Sequence, residues 1–371
     1  MSVTTSTTFR LARTQSLRMQ IADEMRRRIR SGALAEGARL PTARELANQL
    51  GTDAATVHFA LAALAKEGLL DRTPRVGTFV RRRVEKLTRL GLYYANNIGL
   101  PGISRFQQAL YAALQGEWAR LGVEIEVVLD PRPFAPEMAP WPELERAARE
   151  RRVQAVIAPW VALPHLAWLD KLPVPTAFLS SSKRPNTVTL DHVGFFQLAL
   201  GALARQGCKS VAVLPCLNAN QPPEHGLRHD YAQVVESLVD TAGDLRLALR
   251  NEWVFTPPHY LESQAEVQRF GYEKTRELWR HPERPDGLVV TDDVAATGVV
   301  AALLELGVQV PAQLKLVIQK NSAVDIFCPL PASYVEVDTA AIARALVGQV
   351  LKQSRGESVQ RVVIDFKLDE P

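Results

Sequence analysis

The run Leu40-Pro41-Thr42-Ala43-Arg44-Glu45-Leu46-Ala47, with Gly51 and Asp53 after it, decides how the first part of this chain folds. Thr42 offers a hydroxyl to a helix N-terminus, and Glu45 three positions on completes a capping box, so a short helix is expected over residues 43–50. Gly51 ends it. Asp53 then caps a longer helix over 54–66, whose Val57, Ala60, Leu61 and Leu64 share one buried face until Gly68 stops it. Upstream, Leu17, Ile21, Met25 and Ile29 recur at helical spacing among Arg26, Arg27, Arg28 and Arg30, and Ser31-Gly32 closes that amphipathic helix. Downstream, Leu69-Leu70-Asp71-Arg72 and Gly77-Thr78-Phe79-Val80 read as two strands joined by a tip at Pro74-Arg75-Val76. Two short helices across a glycine turn, followed by a strand pair, make a winged helix-turn-helix, whose second helix fits a major groove about 12 Å wide.

The charge distribution points the same way. The 371-residue chain carries a net charge of +4, but residues 1–90 hold 17 Lys and Arg against 8 Asp and Glu, whereas residues 91–371 hold 27 against 32. The positive field belongs to one end, and a polyanion is its natural partner because clustered cations displace condensed counterions from nucleic acid. At 47% hydrophobic and 23% charged residues the composition is that of ordinary globular cores, and the length favours two or three domains. Cys208, Cys216 and Cys328 form no Cys-x-x-Cys pair, which argues against a disulfide framework or a clustered zinc site and for a reducing cytoplasm. Apolar stretches such as that from Val299 to Leu304 break at Glu305, well short of the roughly 18 residues of a membrane span. The opening MSVTTSTTFRLART has arginines with no apolar core behind them, so residues 1–16 read as a flexible polar arm rather than a secretory signal.

With those residues in place, 17–80 resembles the winged helix-turn-helix of the GntR family of bacterial transcription regulators. The matching residues are the 40–47 run, Gly51, Thr56-Val57, Ala60-Leu61, Glu67-Gly68-Leu69 and Gly77-Thr78-Phe79-Val80. The resemblance implies double-stranded DNA as partner, an inverted-repeat operator and a homodimer, and it lays Arg44, Thr56 and Gly77 against the DNA. Thr42, His58 and the wing residue Arg75 complete the candidate contacts. Two arginines common in the family are absent: the second helix opens Asp53-Ala54 where Ser-Arg is usual, and His58 stands where an Arg follows the Val. Ala54 cannot make a bidentate contact to guanine, so base preference should differ from that of typical relatives.

Arg81-Arg82-Arg83-Val84-Glu85-Lys86 has no apolar period, and a linker is expected over 81–88. From there short apolar strands alternate with amphipathic helices. Strands are expected at 90–94, 125–129, 155–158, 175–179, 210–214, 253–255, 287–290 and 361–366, and helices at 105–121, 141–151, 195–206, 230–241, 262–279, 295–307 and 342–351. Such alternation requires parallel sheets with helices on both faces, and about 280 residues of it favour two lobes with a ligand cleft at the strand C-termini.

Three stretches make this specific: Val188-Thr189-Leu190-Asp191 with Gly194 and Gly207; Pro285-Asp286-Gly287-Leu288-Val289-Val290-Thr291-Asp292-Asp293 with Gly298, Gly307 and Pro311; and Val335-Glu336-Val337-Asp338. Together they resemble the effector domain of the LacI/GalR regulators, a two-lobed, type I periplasmic-binding-protein-like fold, over residues 89–371. The expected class is thus α/β with an N-terminal winged helix. The resemblance implies a small-molecule effector, a sugar or sugar derivative, held between the lobes by Arg105, Phe106, Asp191, Asp292 and Asn321, with Arg228 and Trp160 nearby. Asn321 stands where the family has an Asp gripping two hydroxyls, and with Lys320 beside it an anionic sugar acid is favoured. His225 and His229 have a metal-pair spacing but no HExxH context, and Ser180-Ser181-Ser182 has no base in sequence, so neither supports an enzyme. No cofactor is expected. A pyridoxal-phosphate aminotransferase-like second part, or a vestigial cleft serving dimerisation alone, are the rival readings; the expectation adopted is a cytoplasmic, effector-controlled repressor.

Overall fold

A computed structural model describes residues 16–370 apart from 36, 74–75, 82–86, 96–104, 133–137, 160, 162, 215–227, 258–260 and 262. The chain divides into two compact units, Met1–Glu85 and Lys86–Pro371. The expected N-terminal arm (except Ser16), most of the 81–88 linker, the wing-tip pair Pro74-Arg75, Trp160, Cys216 and His225 lie outside the described residues.

In the first unit, α1 (Leu17–Arg30), α2 (Ala43–Leu50) and α3 (Ala54–Lys66) close around Ile21, Met25, Leu46, Val57, Leu61, Leu64, Leu70 and Val80. Thr42 forms the full capping box with Glu45, and Gly51 ends α2 in the left-handed region at φ 63°. The wing strands β2 (Leu70–Thr73) and β3 (Gly77–Val80) pair antiparallel. A two-residue strand absent from the sequence reading, β1 (Arg39–Leu40), adds to the other side of β3. Three of the five arginines of α1 are engaged in ion pairs. Arg26 makes a fork with Glu67 at 2.6 and 2.8 Å and also meets Asp23, while Arg27 and Arg28 both meet Glu24.

The second unit holds two six-stranded sheets. β4 (Arg89–Ala95), β5 (Glu124–Asp130), β6 (Ala155–Pro159), β7 (Thr176–Leu179), β8 (Thr187–Leu190) and β14 (Val362–Ile364) form the first, in the order β14-β8-β7-β6-β4-β5. Its helices are α4 (Arg105–Leu121), α5 (Pro142–Arg149) and the short α6 (Leu163–Leu169). β9 (Ser210–Leu214), β10 (Ala248–Val254), β11 (Gly287–Val290), β12 (Lys315–Asn321), β13 (Ser333–Val337) and β15 (Phe366–Asp369) form the second, in the order β10-β9-β11-β12-β13-β15. With them come α7 (His192–Arg205), α8 (Arg228–Asp244), α9 (Gln264–Arg280) and α10 (Asp293–Glu305), while α11 (Thr339–Ser354) returns to pack on α4 and the first sheet. Pairing is parallel except at β15, which runs antiparallel to β13. The largest core joins side chains of both sheets, from Leu90 and Ile157 to Val213 and Val335.

The expected closing strand 361–366 is two strands in different sheets. β14 pairs with β8, and after Asp365 the chain enters the other sheet as β15, where Phe366 is buried against Phe195 at 5.3 Å between ring centroids. Both segments alternate, and period-two alternation carries no mark of a change of sheet.

Packing is tightest between α9 and α10. A Cβ on Gly298 would stand 1.8 Å from the Gln268 carbonyl oxygen, and one on Gly271 2.4 Å from that of Ala295, so only glycines let the two backbones meet.

Candidate functional site

In the first unit the candidate contact residues sit on the helix-turn-helix and wing. Arg44 is exposed in the first turn of α2 with no ion pair among the described residues, and Gly77 opens β3 at φ 144°. Thr42 and Thr56 both hold their helix starts. Thr42 Oγ1 accepts from Glu45 N at 3.2 Å, and Thr56 donates from its backbone N and its hydroxyl to Asp53, at 2.8 and 2.7 Å. Asp53 is thereby occupied as a cap, and those hydrogen bonds hold its carboxyl below the usual range. His58 is exposed on α3, and Arg75 lies outside the described residues.

In the second unit three strand ends supply the polar groups. Asp191 follows β8 and caps α7, accepting from Gly194 N at 3.0 Å. Asp292 follows β11 and caps α10, its Oδ1 accepting from Val294 N and Ala295 N, both at 2.8 Å. Burial pushes its carboxyl up to about 6 against the pull of those N–H groups, and Asp293's charge adds to the rise. The next residue, Asp293, is the one aimed inward. It is 5% exposed, stands beside Asn321 at the end of β12, and lies within the field of Arg105 at the start of α4. Burial raises its pKa, and Asn321 and Arg105 oppose the rise.

This group differs from two other carboxylates of the unit, buried Asp130 and half-buried Asp286. Asp130 is spoken for by Tyr93 Oη at 2.7 Å and by the Arg132 guanidinium at 2.6 and 2.9 Å. Asp286 accepts from Lys209 N and from Ser210 N and Oγ. Asp293 Oδ2 and Asn321 Oδ1, in contrast, are buried with no hydrogen-bond partner. Buried polar atoms of that kind require an explanation, and a bound polar molecule is one. The set joins α4 of the first sheet to β11 and β12 of the second at the C-terminal ends of their strands, the ligand position of open parallel sheets.

Several expectations change here. Lys320 lies on the opposite face of β12 from Asn321, 3.4 Å from Glu336 and 5.6 Å from the Tyr334 ring centroid, so it adds no cation beside Asn321. Phe106 lies in the first turn of the expected helix, α4, half-buried against the large core. Asp293, unassigned in the sequence reading, is the carboxylate that meets Asn321; the signal was the Asp-Asp doublet, whose first member is the cap. Trp160 and the side chains of Arg228 and His229 lie outside what is described. Ser180 Oγ donates to Val161 O at 3.3 Å and accepts from Ser182 N, a local turn. A cavity of about 310 Å³ lined by Met138, Glu145, Arg149, Trp168 and Lys171 includes none of the candidates. No described helix is long and apolar enough to cross a membrane.

Comparison with known proteins agrees with these geometries. Residues 17–80 match the bacterial regulatory proteins of the gntR family, and residues 200–366 match the periplasmic binding protein-like domain. The HTH-type transcriptional regulator Rv1152 of Mycobacterium tuberculosis is 44% identical over 66 residues, 18% of this chain and 51% of that protein, so the chain spans about half the length of that relative. Among solved structures, a LacI family transcription regulator from Clostridium acetobutylicum superposes with a TM-score of 0.60 at 18% identity, covering 76% of this chain and 98% of that one. The lac repressor dimer solved with operator and the anti-inducer ONPF gives 0.57 at 17%, covering 76% and 93%. At these identities the likeness is one of fold, and the fold is LacI-type rather than that of an aminotransferase. This chain therefore has the architecture of a transcription regulator, joining a gntR-family DNA-binding domain to a periplasmic-binding-protein-like domain of the LacI type.

Proposed function

We propose that the protein is a dimeric repressor that binds an inverted-repeat operator through residues 17–80 and is released or retained by a small polar effector held at Arg105, Asp293 and Asn321. The observation that carries the effector half is the pair of buried, unpartnered oxygens, Asp293 Oδ2 and Asn321 Oδ1. A hydroxyl-rich molecule satisfies both, because each hydroxyl donates to one oxygen while accepting from a neighbouring N–H. Arg105 balances Asp293, and Lys320 is engaged elsewhere, so a neutral sugar or polyol fits better than a sugar acid. The effector acts by binding two lobe arrangements with different affinity and so altering the presentation of two reading heads.

Thermal-shift screening of neutral sugars and sugar acids on the wild type, Asp293→Asn and Asn321→Ala tests the site. A compound stabilising the wild type alone supports it; equal stabilisation of all three moves the site elsewhere, and no shift from any compound favours a cleft used only for dimerisation. For the DNA half, mobility shift should show affinity falling steeply with salt, and Arg44→Ala should weaken binding by about 1–3 kcal/mol if it reaches a base. Unchanged binding removes Arg44 from the contact set.

A further inference from the structure

The exposed side of α3 is almost devoid of charge. Val57, Ala60, Leu61 and Leu64 face the core, and at 100° per residue the outermost ridge opposite them runs through Ala55, Phe59 and Ala62 to Lys66. Phe59 is 61% exposed at the middle of that ridge, its ring edge-on to His58 at 6.2 Å between centroids. The alanines around it leave the ring standing clear. No arginine, lysine, asparagine or glutamine projects from the first three turns, and the Thr56 hydroxyl is already donated to Asp53. Bidentate hydrogen bonding to guanine or adenine is therefore not available to this helix.

Exposed cations stand at the end of the ridge and on other elements of the unit. Lys66 lies at its end, and Arg44 and Arg72 on α2 and β2 are exposed and form no ion pair among the described residues. An exposed phenyl on the second helix of a helix-turn-helix, in a unit that also carries these unpaired cations, is complementary to a duplex rather than to an apolar protein surface. We infer that α3 reads thymine: the Phe59 ring rests on the C5-methyl of a thymine in the major groove, with Ala55 and Ala62 admitting the helix to that depth. The same ring over a G·C pair covers polar edges and leaves them without partners, so the contact also selects against guanine. This inference rests on the DNA-binding reading proposed above.

The test uses the full-length protein. Selection from a randomised duplex pool supplies a site, and fluorescence anisotropy then measures binding as each thymine is replaced singly by deoxyuridine, which removes only the methyl group. At the contacted thymine the wild type should weaken about fourfold. Phe59→Ala should show the weakening already on the thymine site and no further loss on the uracil site, while Phe59→Leu keeps part of the methyl effect. Because Phe59 is exposed, circular dichroism of the variants should match the wild type. If every deoxyuridine substitution affects wild type and Phe59→Ala alike, the thymine contact is overturned and DNA binding stands. Phe59→Ala that binds DNA as tightly as wild type but loses self-association assigns the ring to a protein contact and overturns the inference too. If the pool yields no site at all, the DNA-binding reading falls first and the thymine contact with it.

Discussion

Asp53 and Asp292 hold the same position, one at the start of α3 and the other at the start of α10, and each accepts backbone N–H groups of the first turn. Their ionisation diverges. Asp53 is exposed, and its hydrogen bonds lower its pKa; Asp292 has the same kind of donors, yet burial outweighs them and takes it up to about 6. The first unit holds this cap on a solvated surface, whereas the second withdraws the Asp292 and Asp293 carboxyls from water at the start of α10.

The strongest way to break that contrast is to press on the packing itself. Gly298→Ala sets a methyl group against the Gln268 carbonyl, and the second unit should lose about 3 kcal/mol or more. Every tryptophan of the chain lies between 118 and 279, so urea unfolding followed by tryptophan fluorescence reads that unit alone. A midpoint equal to wild type would mean that α9 and α10 separate at little cost.

Next in size is the dependence on pH. The native pKa of Asp292 lies above its unfolded value near 3.9, so the folded state holds the extra proton in between. Its contribution is present below about pH 4 and is lost as pH rises through about 6, worth about 3 kcal/mol. Asp292→Asn retains an acceptor for the cap and should flatten that part of the curve, read as the difference between wild type and variant at each pH. Parallel curves would show that burial does not govern this cap. Asp53 has the opposite sign: its contribution is present above about pH 4 and is lost as pH falls through its lowered pKa.

The smallest effect concerns the exposed member of the buried set. Arg105→Ala should weaken the effector found by thermal shift about tenfold, near 1.5 kcal/mol, because a charge-assisted bond at an exposed group is worth little more. Calorimetry measures it, and operator affinity without effector should stay at the wild-type value. A loss of a hundredfold or more would make Arg105 the centre of the site rather than its rim.

The two units were also unequally legible. Thr42, Glu45, Gly51, Asp53 and the core positions of α3 could be read from neighbours three and four apart, since caps and helix faces are local. Most of the alternation of strands and helices in the second unit was read in the same way, but β8, β12 and β13 were not among the expected strands, and the seven residues of α6 are too short for a helical period to stand out. The pairing of Arg26 with Glu67 spans 41 residues and cannot be seen in composition, which is why the α1 arginines look like a DNA-facing patch in sequence. Lys320 and Asn321 are adjacent in sequence and opposite in space, because a strand turns successive side chains to opposite faces.

What the amino-acid order determined by itself is therefore whatever a helical turn or a strand repeat can express: the winged helix-turn-helix, its caps, the parallel α/β second unit, and the strand ends that carry the candidate polar groups. Tertiary structure alone decided which of two neighbouring aspartates caps and which faces inward, which arginines are neutralised, and that Asp293 stands beside Asn321 within the field of Arg105. Those outcomes depend on burial and on charges brought together from positions about 200 residues apart, and long-range proximity leaves no periodic trace in a single sequence.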